Sequence, residues 1–181
     1  MIKVKIPKAE LYNQSTNEFI YIKEKEIALE HSLVSISKWE SKWHIPFISD
    51  KPKTREQTLD YLRCMTLTQN VDPIVYRLIS AKDAQRIRDY IDDSMTATWF
   101  SEEANKPKRS REVVTSELIY YWMIAAGIPF ECEKWHLNRL MTLIKICGEK
   151  NQPAKKMSKR DIMARNAALN AKRRAALKSK G

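Results

Sequence analysis

Few residues in this chain have both the type and the spacing that chemistry needs. Cys132 and His136 stand four apart, so on a helix they would share one face and could offer a metal two ligands. A structural zinc site needs four ligands and a catalytic one three. The other candidates, His31, His44, Cys64 and Cys147, fall in no paired spacing, so ordinary core or surface roles are expected for all six and no metal. Nucleophilic catalysis needs an activated Ser or Cys beside a base, and no GxSxG-type turn is present. The hydroxyls that stand out, Ser32 and Ser158, sit where helix caps belong. The carboxylate pairs Asp92-Asp93 and Glu102-Glu103 lie in polar segments, where solvated surface charge is the default. With only Gly127, Gly148 and Gly181, the chain cannot build GxGxxG or GxxxxGK[ST] loops, which excludes Rossmann and P-loop nucleotide chemistry. No cofactor and no catalytic residue are expected, and the chain reads as a binding protein rather than an enzyme.

The strongest physical feature is charge. Thirty-three Lys and Arg against 22 Asp and Glu give a net +11, but the last 32 residues hold eleven of the cations and one Asp, leaving the first 149 at +1. This predicts a near-neutral body, 1–149, and a basic tail, 150–181. Lys155, Lys156, Lys159, Arg160, Arg165, Lys172, Arg173 and Arg174 are the candidate binding residues. Three roles remain open for them: neutralising nucleic-acid phosphates, docking as a helix on an acidic or apolar protein groove, or keeping the chain soluble. The five tryptophans invite a base-stacking role, but Trp39 and Trp43 lie on an apolar helical stripe and Trp122 and Trp135 in hydrophobic segments. Core packing is expected for these four, and exposure for Trp99.

The elements that would position these residues are mainly helical. Ile2, Val4 and Ile6 alternate with lysines, and Phe19–Ile22 is rich in strand formers, so residues 1–30 read as a small antiparallel hairpin or meander. Ser32 opens a helix carrying Leu33, Ile36, Trp39 and Trp43. Thr54 to Gln57 is a capping box, Asp72-Pro73 starts a short helix, and Ser80 to Asp83 starts another through Ile87, Tyr90 and Ile91. Residues 101–111 read as an exposed loop. Val113 to Ala126, apolar around most of its circumference, reads as the central helix, stopped by Gly127. A helix carrying Trp135, Leu137, Leu140, Met141 and Ile144 and stopped by Gly148 should pack antiparallel to it. A basic helix from Ser158 to about Leu177 closes the chain. The expected fold class is therefore mainly α, a helical bundle preceded by a β hairpin. Three widely spaced cysteines without a CxxC pair read as reduced thiols. The N-terminus has no apolar signal core and no later stretch is long enough to span a membrane, so neither secretion nor membrane insertion is expected.

Several long strings carry a family resemblance: Glu30 to His44 (EHSLVSISKWESKWH), Cys64 to Pro73 (CMTLTQNVDP), Met95 to Thr98 (MTAT), Thr115 to Met123 (TSELIYYWM), Ile128 to Leu140 (IPFECEKWHLNRL) and Lys155 to Arg160 (KKMSKR). Together they resemble a group of small proteins of tailed bacteriophages, the tail assembly chaperones encoded just before the tape-measure protein. The resemblance covers most of the chain. It implies a helical binding protein of the host cytoplasm, without cofactor or catalytic residue, whose partners are the tape-measure protein and the major tail protein. A homo-oligomer is compatible with it. The alternative, suggested by the basic tail, is a virion or packaging-related protein that binds nucleic acid.

Overall fold

The computed structural model describes residues 1–13, 17–100, 112–151 and 159–177. The chain divides into two units, Met1–Gly148 and Glu149–Gly181.

The first unit begins with a nested hairpin. β1 (Ile2–Ile6) pairs antiparallel with β4 (Lys25–Leu29), and β2 (Ala9–Asn13) pairs with β3 (Glu18–Ile22). Val4 faces Ile27 across the first ribbon, and Leu11 faces Ile20 across the second. Between β1 and β2 lies Pro7, which has no N–H to give a ladder. The two ribbons differ in burial. Val4, Ile6, Ile27 and Leu29 are fully buried, whereas Tyr12, Phe19 and Tyr21 of the second ribbon are exposed.

Helices follow in the expected order, and five of them are opened by a capping side chain. α1 (Leu33–Trp43) starts where the Ser32 hydroxyl accepts from the Ser35 N–H, and stops at His44, whose φ of 54° lies in the left-handed region. Thr54 and Gln57 form both halves of a capping box on α2 (Arg55–Met65). Asp72 accepts from the Ile74 N–H ahead of a 3₁₀ helix, Pro73–Leu78. Ser80 caps α3 (Ala81–Asp92). α4 runs Ser116–Ala125, a second 3₁₀ helix Phe130–Lys134, and α5 Leu137–Asn151. The architecture is mainly α with a small N-terminal antiparallel β region. No described helix is long and apolar enough to cross a membrane.

α1, not the expected α4, is central. It packs against α2, α4 and the second 3₁₀ helix, and its Leu33, Ile36 and Trp39 are fully buried. α4 buries only the stripe Ser116, Ile119 and Met123, and leaves Tyr121 63% and Ile124 62% exposed. A helix that is apolar all round is buried all round only if other elements cover every face; here just one face is covered. α4 also starts later than expected, because Thr115 accepts from the Leu118 N–H and so caps the helix after Val113 and Val114. Gly127, at φ +67°, ends α4 as expected. Gly148 does not end α5, which runs through it to Asn151. Residues 126–136, with their own 3₁₀ turn and with Trp135 ahead of α5 rather than on it, link α4 to α5 in place of a tight turn.

In the second unit, α6 runs Lys159–Leu177, 19 residues. Every side chain described on it is exposed.

Two stability measurements check this packing. Trp39 has no exposed surface and donates from Nε1 to the Gln57 carbonyl at 2.9 Å, so Trp39→Ala is expected to cost about 3–5 kcal/mol in denaturant unfolding. Trp122→Ala, at a half-buried ring, should cost clearly less. A Cβ built at Gly148 meets nothing within 4 Å, so Gly148→Ala should raise stability by about 0.5–1 kcal/mol. A loss of stability in that variant would show that α5 is interrupted there.

Candidate partner-binding surface

The residues that could bind a partner are held in place by buried polar contacts. Glu40, on the last turn of α1, is buried, and its two carboxylate oxygens accept from backbone N–H groups at Phe47 (2.6 Å) and Ser116 (2.7 Å). One side chain thus ties the loop after α1 and the first turn of α4 to the central helix. The contact with Ser116 also sets a negative charge against the positive end of the α4 dipole. α5 is fixed at its start: the Leu137 N–H donates to the His31 carbonyl at 2.8 Å. Asn138 Nδ2 donates to the carbonyls of Ile91 (3.1 Å) and Asp93 (2.7 Å) at the end of α3.

Two helices anchored in this way leave a groove between them. It is lined by Phe100, Trp122 of α4, and Met141, Thr142, Ile144 and Lys145 of α5, and encloses about 580 Å³. Lys145 Nζ sits 3.7 Å from the centroid of the Phe100 ring. Next in the chain, Trp99 is 81% exposed. On another face of α4, Tyr121 and Ile124 are open, and Phe130 is exposed with its ring 6.4 Å from Tyr120. Apolar surface concentrated in this manner marks an interaction site more often than a free face. The expected exposure of Trp99 is seen, as is the burial of Trp39. Trp43, Trp122 and Trp135 are only partly buried against the core.

A second cavity, of about 420 Å³, lies between α1, α2 and the first 3₁₀ helix, and its lining charges are of both signs. Asp60 there accepts from Lys42 and from Trp43 Nε1 at 2.9 Å, with Arg63 at 3.6 Å. Burial opposes ionisation of Asp60, but the hydrogen bonds from Lys42 and Trp43 outweigh it and hold the carboxyl below its usual range. These charges neutralise one another and leave little field for a ligand.

Cys132 and His136 are not brought together as ligands. Cys132 is buried in the second 3₁₀ helix, while His136 Nε2 meets the Tyr90 carbonyl at 2.9 Å and its Nδ1 accepts from the Asn138 N–H. Among the described residues no group of three or more His, Cys, Asp or Glu is placed to hold a metal. His136 instead lies against His31, ring centroids 5.1 Å apart, and His31 Nδ1 bonds the Tyr61 hydroxyl. Burial holds the Tyr61 hydroxyl well above its ordinary pKa, so it stays protonated.

Of the basic residues singled out from the sequence, Lys159, Arg160, Arg165, Lys172, Arg173 and Arg174 all lie exposed on α6. Lys155 and Lys156 fall outside the described residues. What the sequence did not reveal is the groove itself, because Trp122, Met141 and Ile144 were expected in the core. The available signal was α4, whose apolar residues outnumber those one face can bury.

Burial, reinforced by the His136 ring, pulls the His31 imidazole from its ordinary value near 6.5 down to about 4. The folded state therefore resists protonation that the unfolded chain accepts. Stability should be complete above about pH 7 and fall as pH drops through 6.5 towards 4, with about 2 kcal/mol lost by pH 5. Chemical denaturation at about pH 7.5, 6 and 5 checks this, and His31→Gln should flatten the slope in that window. An unchanged wild-type midpoint across the range would contradict it.

The chain matches no protein-family model, no curated protein and no solved structure.

Proposed function

We propose that the protein is a tail assembly chaperone of a tailed bacteriophage, acting in the host cytoplasm and binding helical segments of the tape-measure protein during tail assembly. The observation that carries this reading is the uncovered apolar surface of α4 and α5: the groove of Phe100, Trp122, Met141 and Ile144, with Trp99 beside it. A groove between two helices takes the apolar stripe of a third, through side chains spaced i, i+3, i+4 and i+7. A long helical partner, prone to aggregate until its tube forms around it, presents such stripes repeatedly. The resemblance of strings such as Thr115 to Met123 and Ile128 to Leu140 to those of phage tail assembly chaperones supports the same assignment. Recruitment of the major tail protein is part of the proposed role. The work is binding and release, with no bond made or broken.

Co-expression with a phage tape-measure protein from the same genome tests the proposal. The expected result is a soluble complex that co-purifies. A groove variant, Ile144→Asp, should lose at least tenfold of the soluble partner while keeping its own helical circular dichroism. An insoluble tape measure and no complex with the wild-type chain would refute the proposal. Mass spectrometry of purified virions separates it from a structural role: a chaperone should be missing, and a stoichiometric virion component would contradict the reading.

A further inference from the structure

α6 has the wrong residues for a protein groove and suitable ones for a polyanion. The large apolar residues of α6 are Ile162, Met163, Leu169 and Leu177, all exposed, and of these Ile162 and Leu169 stand seven apart on one side of the helix. A helix docked in an apolar groove would fill the intervening i+3 and i+4 positions with further anchors. Here those positions are Arg165 and Asn166 after Ile162, and Lys172 and Arg173 after Leu169. Cations therefore interrupt the stripe that would otherwise dock.

The cations are also distributed in a way that suits regular charge. Lys159, Arg160 and Arg165 lie in the first half of the helix and Lys172, Arg173 and Arg174 in the last two turns, all exposed. At 100° per residue they point to every side of the helix rather than to one face. The rise of 1.5 Å per residue puts Arg160 and Arg173 about 20 Å apart along the axis. Double-stranded DNA carries one phosphate charge per about 1.7 Å of its axis, so both clusters can be satisfied at once without a particular base sequence. Three Arg side chains in the helix centre and end offer planar donors that grip phosphate oxygens in pairs.

We propose that α6 is a sequence-independent nucleic-acid-binding helix, contacting phosphates through three to five of these six side chains at a time. It adds to the body a second mode of binding that is electrostatic where the groove is apolar, and it stands or falls separately from the chaperone role. With three to five phosphates neutralised, the association constant should fall about 40-fold or more between about 50 and 200 mM salt.

The test is a mobility-shift titration of the full chain on a DNA duplex of about 30 base pairs and arbitrary sequence, at several salt concentrations. The expected result is binding at about 50 mM salt with that steep salt dependence, equal on a second unrelated sequence. A variant carrying Arg165→Gln, Lys172→Gln, Arg173→Gln and Arg174→Gln should bind at least tenfold more weakly. Its body should keep the wild-type melting temperature, because none of the four side chains belongs to the buried core. No shift at low salt, or a shift undiminished in the variant, would overturn the proposal. Competition by polyglutamate as effective as that of DNA, charge for charge, would also overturn it, in favour of an acidic protein surface.

Discussion

One buried carboxylate sets the geometry on which the rest of the body depends. Glu40 is taken out of water on the central helix, and it is tolerable there because two backbone N–H groups, of Phe47 and Ser116, meet its two oxygens. A buried charge without such partners would cost several kcal/mol. The same two bonds satisfy the buried Ser116 N–H and the partly buried Phe47 N–H. Because Ser116 begins α4, the contact fixes where that helix leaves the core and which of its faces turns inward. Ile119 and Met123 then follow Ser116 into the interior, Trp122 is left half-buried at its edge, and Tyr121 and Ile124 stay outside it. The open groove is thus a consequence of how α4 is tethered, and it is walled on its other side by an α5 held separately through His31, Ile91 and Asp93.

What could be read from the sequence was what neighbouring residues decide. Ser32, Thr54, Asp72 and Ser80 all cap helices where short-range hydrogen bonding says they should. The alternation of Ile2, Val4 and Ile6 gave the buried face of the first ribbon. The choice of central helix was not legible, because it depends on cover supplied from far along the chain. α4 is the more hydrophobic helix, yet α1 has partners on several sides and α4 on one. Gly148 illustrates the same limit at a single residue. Glycine favours a helix stop, but a stop also needs the left-handed turn that Gly127 makes and Gly148 does not. The buried His31–His136 contact joins residues about a hundred apart and left no trace in local pattern.

Of the two candidate surfaces, only the basic one was legible in the sequence. Counting charge located the cations of α6 directly, since charge needs no packing to be recognised. The apolar half looked like core, because an exposed apolar residue and a buried one have the same letter. The difference between them is an imbalance: more apolar faces than the remaining elements can cover. The distal ribbon, with Tyr12, Phe19 and Tyr21 exposed, shows the same excess at the other end of the chain's first unit.

The proposed seat of a helical partner is the α4–α5 groove. Hydrogen–deuterium exchange of the chain alone and in complex with the tape-measure protein tests it most directly, because amide protection reports which helices are covered. Slowed exchange is expected in α4 and α5, at Ser116–Ala125 and along Leu137–Asn151, with α2 unchanged. Protection confined to the β2–β3 ribbon or to α6, with α4 and α5 exchanging as they do in the free chain, would contradict it.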